Sequence, residues 1–245
     1  MNALMLVVYG LPAGDLFNNA DLANMRQLMS IGAFGLVEQK LGIRSHAEMK
    51  RLEVDTWKAI AGSGRPCLWI TTQNDVGPEP SAGEIVKTKW ENGAEQDLSG
   101  QQLERARAWI KDRDWGACLI EDHGLQFSNG KGSQSNYLEN LDQSLGKLFE
   151  SLSDETVVAI LIRTEVVLTG FILAAPVAEP VGEVRDAATQ DVAATLMHLC
   201  ELVSGETINS RLILRRQDIS EGGDTVLSVD EEALLRERLS GLGYL

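Results

Sequence analysis

Short runs of consecutive apolar residues recur along much of the chain. Such runs, apolar throughout and too short for most helices, are typical of β-strands that are buried on both faces. They predict strands at residues 4–9, 67–72, 116–120, 156–163 and 170–175.

Between these runs, apolar residues recur at intervals of three and four, which gives a helix one apolar stripe. Two clear stripes are Leu138, Leu141, Leu145, Leu148 and Leu152, and Ala188, Val192, Leu196, Leu199 and Val203. Less regular patterns cover residues 21–31, 46–61 and 99–113. The alternation of strands and helices predicts a three-layer α/β/α sandwich with a mostly parallel central sheet.

The last residues of the chain have a helical pattern of their own. Ser228 and Glu231 have the spacing of a capping box, and leucines follow before Gly241. We therefore expect one α/β domain over residues 1–227 and a helical tail over 228–245 that packs on the same domain.

Composition narrows the classes of partner. The 245 residues include 36 acidic and 22 basic ones, for a formal net charge of −14. This charge repels phosphate backbones and anionic lipid head groups, so we expect neither a nucleic acid nor a membrane as partner. The three widely spaced cysteines form no C-x-x-C pair. The first apolar run is short and lacks a basic lead-in, so we predict a cytoplasmic protein.

Candidate chemistry should lie beyond the carboxyl ends of the strands. There, Glu121, Asp122 and His123 offer two carboxylates and an imidazole, which suit a divalent metal. Alternatively, Asp122 only caps a turn in a polar loop. The sequence contains neither G-x-S-x-G nor a P-loop pattern.

Two other positions have both a structural and a chemical interpretation. Ser45 forms a capping box with Glu48, but a hydroxyl at a helix N-terminus can also be a nucleophile. His198 shares a helical face with Asp191 and Thr195, opposite the apolar stripe, and is expected to be solvated.

Several segments resemble a known family in their order and content. Residues 4–37, LMLVVYGLPAGDLFNNADLANMRQLMSIGAFGLV, resemble a strand that ends in Asp-Gly before a P-N-L-x-x-L-x-x-x-G helix. Residues 185–203, RDAATQDVAATLMHLCELV, resemble D-I-A-P-T-L-L-x-L-L-G-L with Ala194 in place of proline. Both patterns belong to the alkaline phosphatase superfamily, particularly its type I phosphodiesterase and sulfatase-like branches. Further similar segments, in the family's order, are residues 56–86, 135–162, 170–176 and 231–245.

The resemblance implies an ester-cleaving ancestor whose metal ligands are mostly replaced. Members hydrolyse phosphate or sulfate esters with a Thr, Ser or formylglycine nucleophile, and two branches hold two metal ions with Asp and His. Tyr9 stands where the family's first metal-binding Asp would be, and a neutral phenol is a poor zinc ligand. The vestigial positions implied for the remaining site are Asp122 and Gln126 for D-x-x-x-H, Ile162, Arg163, Thr164 and Glu165 for Ser-Asp-His-Gly, and Ser45 for the nucleophile.

The sequence therefore predicts a catalytically inactive, degenerate member of this superfamily, without a cofactor and with a binding or assembly role. The alternative is a divergent hydrolase in which Ser45 attacks and Arg163 stabilises the departing anion. One Zn, Mn or Mg ion would then lie at Asp122 and His123 with Glu121 or Glu165. A third outcome is an anion-binding module. The expected partners are an unknown protein, a small anionic ligand, or a second copy paired through an edge strand.

Overall fold

A computed structural model describes residues 2–37, 65–71, 83–87, 98–111, 113–123, 125, 131–164, 168–176, 178–200 and 211–215. Within them, eight strands form one sheet in the order β4-β3-β5-β1-β6-β7-β2-β8. The strands are β1 (Asn2–Tyr9), β2 (Ala33–Leu36), β3 (Cys67–Thr71), β4 (Gly83–Lys87), β5 (Ala117–Asp122), β6 (Thr156–Arg163), β7 (Leu168–Ala174) and β8 (Gly182–Glu183).

The sheet is mixed and mostly parallel, as predicted. From β4 across β3, β5 and β1 to β6, every neighbouring pair is parallel. The β7 strand is antiparallel to both β6 and β2, and β2 pairs parallel with β8. The carboxyl ends of β1, β3, β5 and β6 therefore meet at one edge of the sheet.

Five described helices cover the two faces of the sheet. They are α1 (Ala13–Asn18), α2 (Ala23–Ser30), α3 (Leu98–Lys111), α4 (Lys131–Phe149) and α5 (Thr189–Leu199). Apolar side chains of α1 to α4 share one core cluster with Leu4, Leu6 and Val8 of β1. The α5 helix packs in the other cluster, with Met5 and Val7. The predicted α/β/α layering is confirmed.

Strand bounds differ from the prediction in physically simple ways. The sequence pattern missed β2, β4 and β8, which are short and contain glycine, so they have little continuous apolar signal. The β5 strand runs on to Asp122, two residues beyond its predicted end at residue 120. The predicted helix over 46–61 and the tail over 228–245 lie outside the described residues.

A buried carboxylate fixes α2 against α4. Asp142 of α4 accepts hydrogen bonds from the backbone N–H groups of Asn24 and Met25, at 3.2 and 2.8 Å. The Asn24 side chain donates to Asp142 as well, at 3.0 Å. Asp142 thus caps the N-terminus of α2 from another helix, where no side chain of the N-cap residue Leu22 does so.

None of the helices in the described part of the chain is both long and apolar enough to cross a membrane.

Candidate functional site

Three charged or polar side chains converge at the carboxyl edge of the sheet. Tyr9 is the last residue of β1, and its register partner on β6 is Arg163. Glu121 lies near the end of β5, on the other side of β1. Because side chains alternate between faces along a strand, Tyr9 projects to the same face as Met5 and Val7, the face that α5 covers.

These side chains form a continuous hydrogen-bonded chain. Arg163 Nη1 donates to the Tyr9 hydroxyl oxygen at 3.4 Å, and that hydroxyl donates to Glu121 Oε1 at 3.2 Å. Trp69 of β3 donates its indole N–H to Glu121 Oε2, also at 3.2 Å. We call Arg163, Tyr9, Glu121 and Trp69 the edge cluster.

The edge cluster is buried, which makes its internal pairing important. Arg163 is 1% exposed and Glu121 9% exposed, while Tyr9 and Trp69 are each 5% exposed. A charge removed from water is tolerated only when it is paired and hydrogen-bonded. The Tyr9 phenol hydrogen-bonds to both the guanidinium and the carboxylate, and so connects the two charged groups.

The aromatic ring of Tyr9 makes two further contacts. The His123 ring stacks on it with a centroid separation of 3.8 Å and an interplanar angle of 16°. The Arg163 guanidinium carbon lies 4.9 Å from the Tyr9 ring centroid, a cation–π distance. His123 and Arg163 approach from the β5 and β6 sides of β1, so the tyrosine is held from both.

Asp122 faces away from the edge cluster. It follows Glu121 on β5, and its carboxylate accepts hydrogen bonds from Ser99 of α3 and Tyr137 of α4, each at 2.8 Å. Both helices pack on the opposite face of the sheet. The carboxylate therefore joins two helices to a strand end; it does not cap a turn in a loop, because β5 extends through it.

The surroundings of Tyr137 shift the pKa of its phenol. Burial, followed by the nearby Asp122 carboxylate, raises the pKa of the Tyr137 phenol well above its usual 10.0. The neutral phenol is the form that donates to Asp122, so both effects favour keeping the proton.

The other predicted site residues lie outside the edge cluster or outside the described residues. Thr164 is exposed, and its backbone oxygen accepts from Arg163 Nε at 3.4 Å. Ser45, Gln126 and Glu165 lie outside the described residues. The His198 face of α5 is less solvated than predicted: His198 is half-buried, and Thr195 is 0% exposed.

The covering of this α5 face has a specific cause. Asp191 and Thr195 accept hydrogen bonds from the backbone N–H groups of Arg211 and Ile213, at 3.1 and 2.9 Å. A segment after α5 therefore lies over the face that the sequence pattern assigned to solvent. A helical periodicity cannot reveal such a later segment.

The donor set fits a two-metal centre poorly. Tyr9 donates its hydroxyl proton to Glu121, and Arg163 has no lone pair to offer. Asp122 points to α3 and α4, whereas His123 stacks on Tyr9. Among the residues that the structure describes, no three His, Cys, Asp or Glu side chains are grouped so that they could hold one ion together.

The fold defines the broad class of this protein. The mixed eight-stranded sheet with helices on both faces is an alkaline-phosphatase-like α/β fold. No protein-family model matches the sequence, and no curated protein sequence does either.

Several solved structures are similar in fold to this chain. The chain is similar to a phosphonate monoester hydrolase from Silicibacter pomeroyi, with a TM-score of 0.52 and 12% identity over 86% of this chain and 75% of that one. It is similar to Ps i-CgsB, with a TM-score of 0.52 and 11% identity over 86% and 74%. The PH0037 protein from Pyrococcus horikoshii gives 0.51 and 12% over 84% and 98%. These likenesses confirm the predicted fold.

Proposed function

We propose that this protein is a non-catalytic relative of the hydrolases whose fold it shares, and that it acts by binding or assembly. The observation that carries the proposal is the buried Arg163–Tyr9–Glu121 chain of hydrogen bonds. It lies at the carboxyl edge of the central strands, where open α/β sheets bind their ligands.

The proposal follows from what a pair of dications requires. Each ion needs several lone-pair donors, and carboxylates and neutral imidazoles supply them best. In the family resemblance, Tyr9 takes the place of one such carboxylate, and Arg163 lies in the segment that corresponds to Ser-Asp-His-Gly. A fixed guanidinium also raises the energy of any cation placed beside it. Both replacements disfavour metal binding.

The position of Asp122 supports the same proposal. It is the one carboxylate that the resemblance retains at a metal position, and it is 1% exposed. Its two oxygens accept from Ser99 and Tyr137. Turning this carboxylate toward a metal would remove the acceptor of the buried Ser99 hydroxyl and of the half-buried Tyr137 hydroxyl.

The competing function is hydrolysis of phosphate or sulfate esters, with Ser45 as nucleophile and one Zn, Mn or Mg ion. It draws on the name of one neighbour, a phosphonate monoester hydrolase. Such a mechanism needs Arg163 to reach a substrate anion, and the same reach is needed for an anion-binding module. The 1% exposure of Arg163 and its contacts with Tyr9 weigh against both.

The experiment combines metal analysis with substrate assays. We expect the purified protein to carry well under one equivalent of Zn, Mn or Mg by elemental analysis. We also expect no release of nitrophenol from phosphate monoester, phosphate diester or sulfate substrates when these metals are added. Stoichiometric metal, with turnover that Ser45→Ala abolishes and that the surface change Arg105→Met leaves intact, would overturn the proposal.

A further inference from the structure

Among the residues that the structure describes, β8 is the last strand of the sheet, and none of the described strands pairs with its outer side. Gly182 and Val184 donate their backbone N–H groups to Gly32 and Phe34 of the β2 segment, at 2.9 and 2.7 Å. Bonding direction alternates along an extended strand, so Glu183 and Arg185 direct their backbone N–H and C=O groups away from β2. Such an edge can pair with another strand.

The side chains at this edge are charged and self-complementary. Glu183 and Arg185 are both exposed, and Glu183 Oε1 lies 3.7 Å from Arg185 Nε. Val184 between them is buried in the core that α5 covers. The charged pair therefore projects to the other face, on which α2 packs.

Exposed apolar residues lie at the same edge. In the described part of the chain, the exposed large hydrophobic residues are Ile31, Leu36 and Val181, each more than half exposed. Ile31 is the C-cap residue that follows α2, and Val181 donates its N–H to the Gly32 oxygen at 3.0 Å. Leu36 ends β2, the neighbour of β8.

We propose that this edge is a dimer interface whose occupant is the same edge of a second copy of the chain. An antiparallel pairing with its two-fold axis at Val184 places Glu183 of each copy opposite Arg185 of the other. Opposite charges directly across a strand pair stabilise the pairing. A two-fold axis makes this contact twice, as a self-complementary surface requires.

The backbone agrees with this register. The residues that face each other in it, Glu183 and Arg185, are the two whose bonding groups point outward. Val184 donates its N–H to the Phe34 oxygen. The Val184 residues of the two copies therefore face each other at the axis as a pair that needs no hydrogen bond between the copies. One register therefore satisfies the charges and the hydrogen bonds together.

The extent of the edge sets the strength of association. The β8 strand has two residues, Gly182–Glu183; Val184 adds one more hydrogen bond to β2, and Asp186 then has a φ of 63°, in the left-handed region. Contact through so short a strand buries less area than a stable standard interface. The dimer is therefore reversible and concentration-dependent. This inference does not depend on whether the protein is catalytic.

Sedimentation velocity over a wide range of protein concentration tests the interface. We expect the weight-average sedimentation coefficient of the full chain to rise with concentration. Glu183→Arg places like charges opposite each other, as does Arg185→Glu, so each variant should remain monomeric. An equimolar mixture of the two variants should dimerise, because a strand with two arginines then faces one with two glutamates.

The matched controls make the same charge changes elsewhere. Glu104→Arg and Lys111→Glu alter exposed residues of α3, and both should dimerise as the native chain does. A native chain that stays monomeric at all concentrations would overturn the proposal. So would a dimer that both edge variants retain, or a variant mixture that stays monomeric.

Discussion

Arg163 and Tyr9 are register partners on adjacent parallel strands, and the arginine both donates to the tyrosine hydroxyl and lies against its ring. The Tyr9 hydroxyl in turn donates a hydrogen bond to Glu121. The buried cation Arg163 on β6 and the buried anion Glu121 on β5 flank β1. The neutral Tyr9 side chain connects them.

This connection predicts a large loss of stability when the cation is removed. Arg163→Met removes the buried cation that the Tyr9 phenol joins to the Glu121 carboxylate. Breaking a buried ion pair in direct contact costs about 3–5 kcal/mol, and this value is the upper bound of the expected loss. Urea denaturation should show this loss in the free energy of unfolding. Tyr9→Phe keeps the charges but removes the connecting hydroxyl, so we expect a smaller loss of about 1–3 kcal/mol.

The control for these variants is Arg105→Met, which removes an exposed arginine from α3. Changes at such positions usually alter stability by less than about 0.5 kcal/mol. An Arg163→Met protein as stable as this control would mean that the Arg163–Tyr9–Glu121 hydrogen bonds do not stabilise the fold.

Asp122 should prove structural. Asp122→Ala removes the acceptor of the buried Ser99 hydroxyl and of the half-buried Tyr137 hydroxyl, and leaving a buried polar group unsatisfied costs about 1–3 kcal/mol. We expect a lower midpoint of thermal unfolding, which Ser99→Ala reproduces in part. If Asp122→Ala instead lowers the affinity for an added metal and leaves the unfolding midpoint unchanged, Asp122 is a ligand after all.

The Tyr137 phenol predicts a particular dependence of stability on alkaline pH. Its pKa in the folded protein is well above 10.0, whereas in the unfolded chain it lies near that value. Above pH 10 the unfolded state therefore holds fewer protons than the folded state, and stability falls as the pH rises. One such proton contributes a slope of at most about 1.4 kcal/mol per pH unit.

Tyr137→Phe isolates this contribution from those of Cys67 and Cys118, whose pKa values burial also raises. We expect the variant to lose less stability than the native chain between neutral pH and pH values above about 10. Equal slopes for the two proteins in urea denaturation across this range would contradict the assignment.

Asp142 should contribute to stability as a cap supplied from another helix. Asp142→Ala removes the acceptor of the Asn24 and Met25 amide protons, and losing a cap costs about 0.5–2 kcal/mol. Hydrogen exchange at the first residues of α2 should accelerate. Gln143→Ala, at the exposed position next to it, should leave both the exchange rates and the free energy of unfolding nearly unchanged.

The sequence predicted the frame of the fold well, for a simple reason. Continuous apolar runs such as residues 156–163 have few alternatives to a buried strand, and the observed β6 has these same bounds. The leucine stripe from Leu138 to Leu148 likewise packs in one core cluster. Short strands such as β8, with two residues, give no comparable signal.

The site was predicted only in part, because the sequence of one strand does not show which side chains of a neighbouring strand it will contact. The sequence placed Tyr9 and Arg163 at the same edge, and it named Glu121 as a weak metal candidate. It did not connect the three or include Trp69. Alternation along β5 separates Glu121 from Asp122, but the prediction ended that strand at residue 120 and so treated both as one loop.

The central claim is that the carboxyl edge of this sheet cannot hold two dications. Anomalous diffraction from crystals grown with Zn²⁺ or Mn²⁺ tests it most directly. We predict no anomalous peak within bonding distance of Glu121, Asp122 or His123, with Arg163 still donating to Tyr9. Two peaks about 4 Å apart at this edge, bound by any of these side chains, would contradict the account.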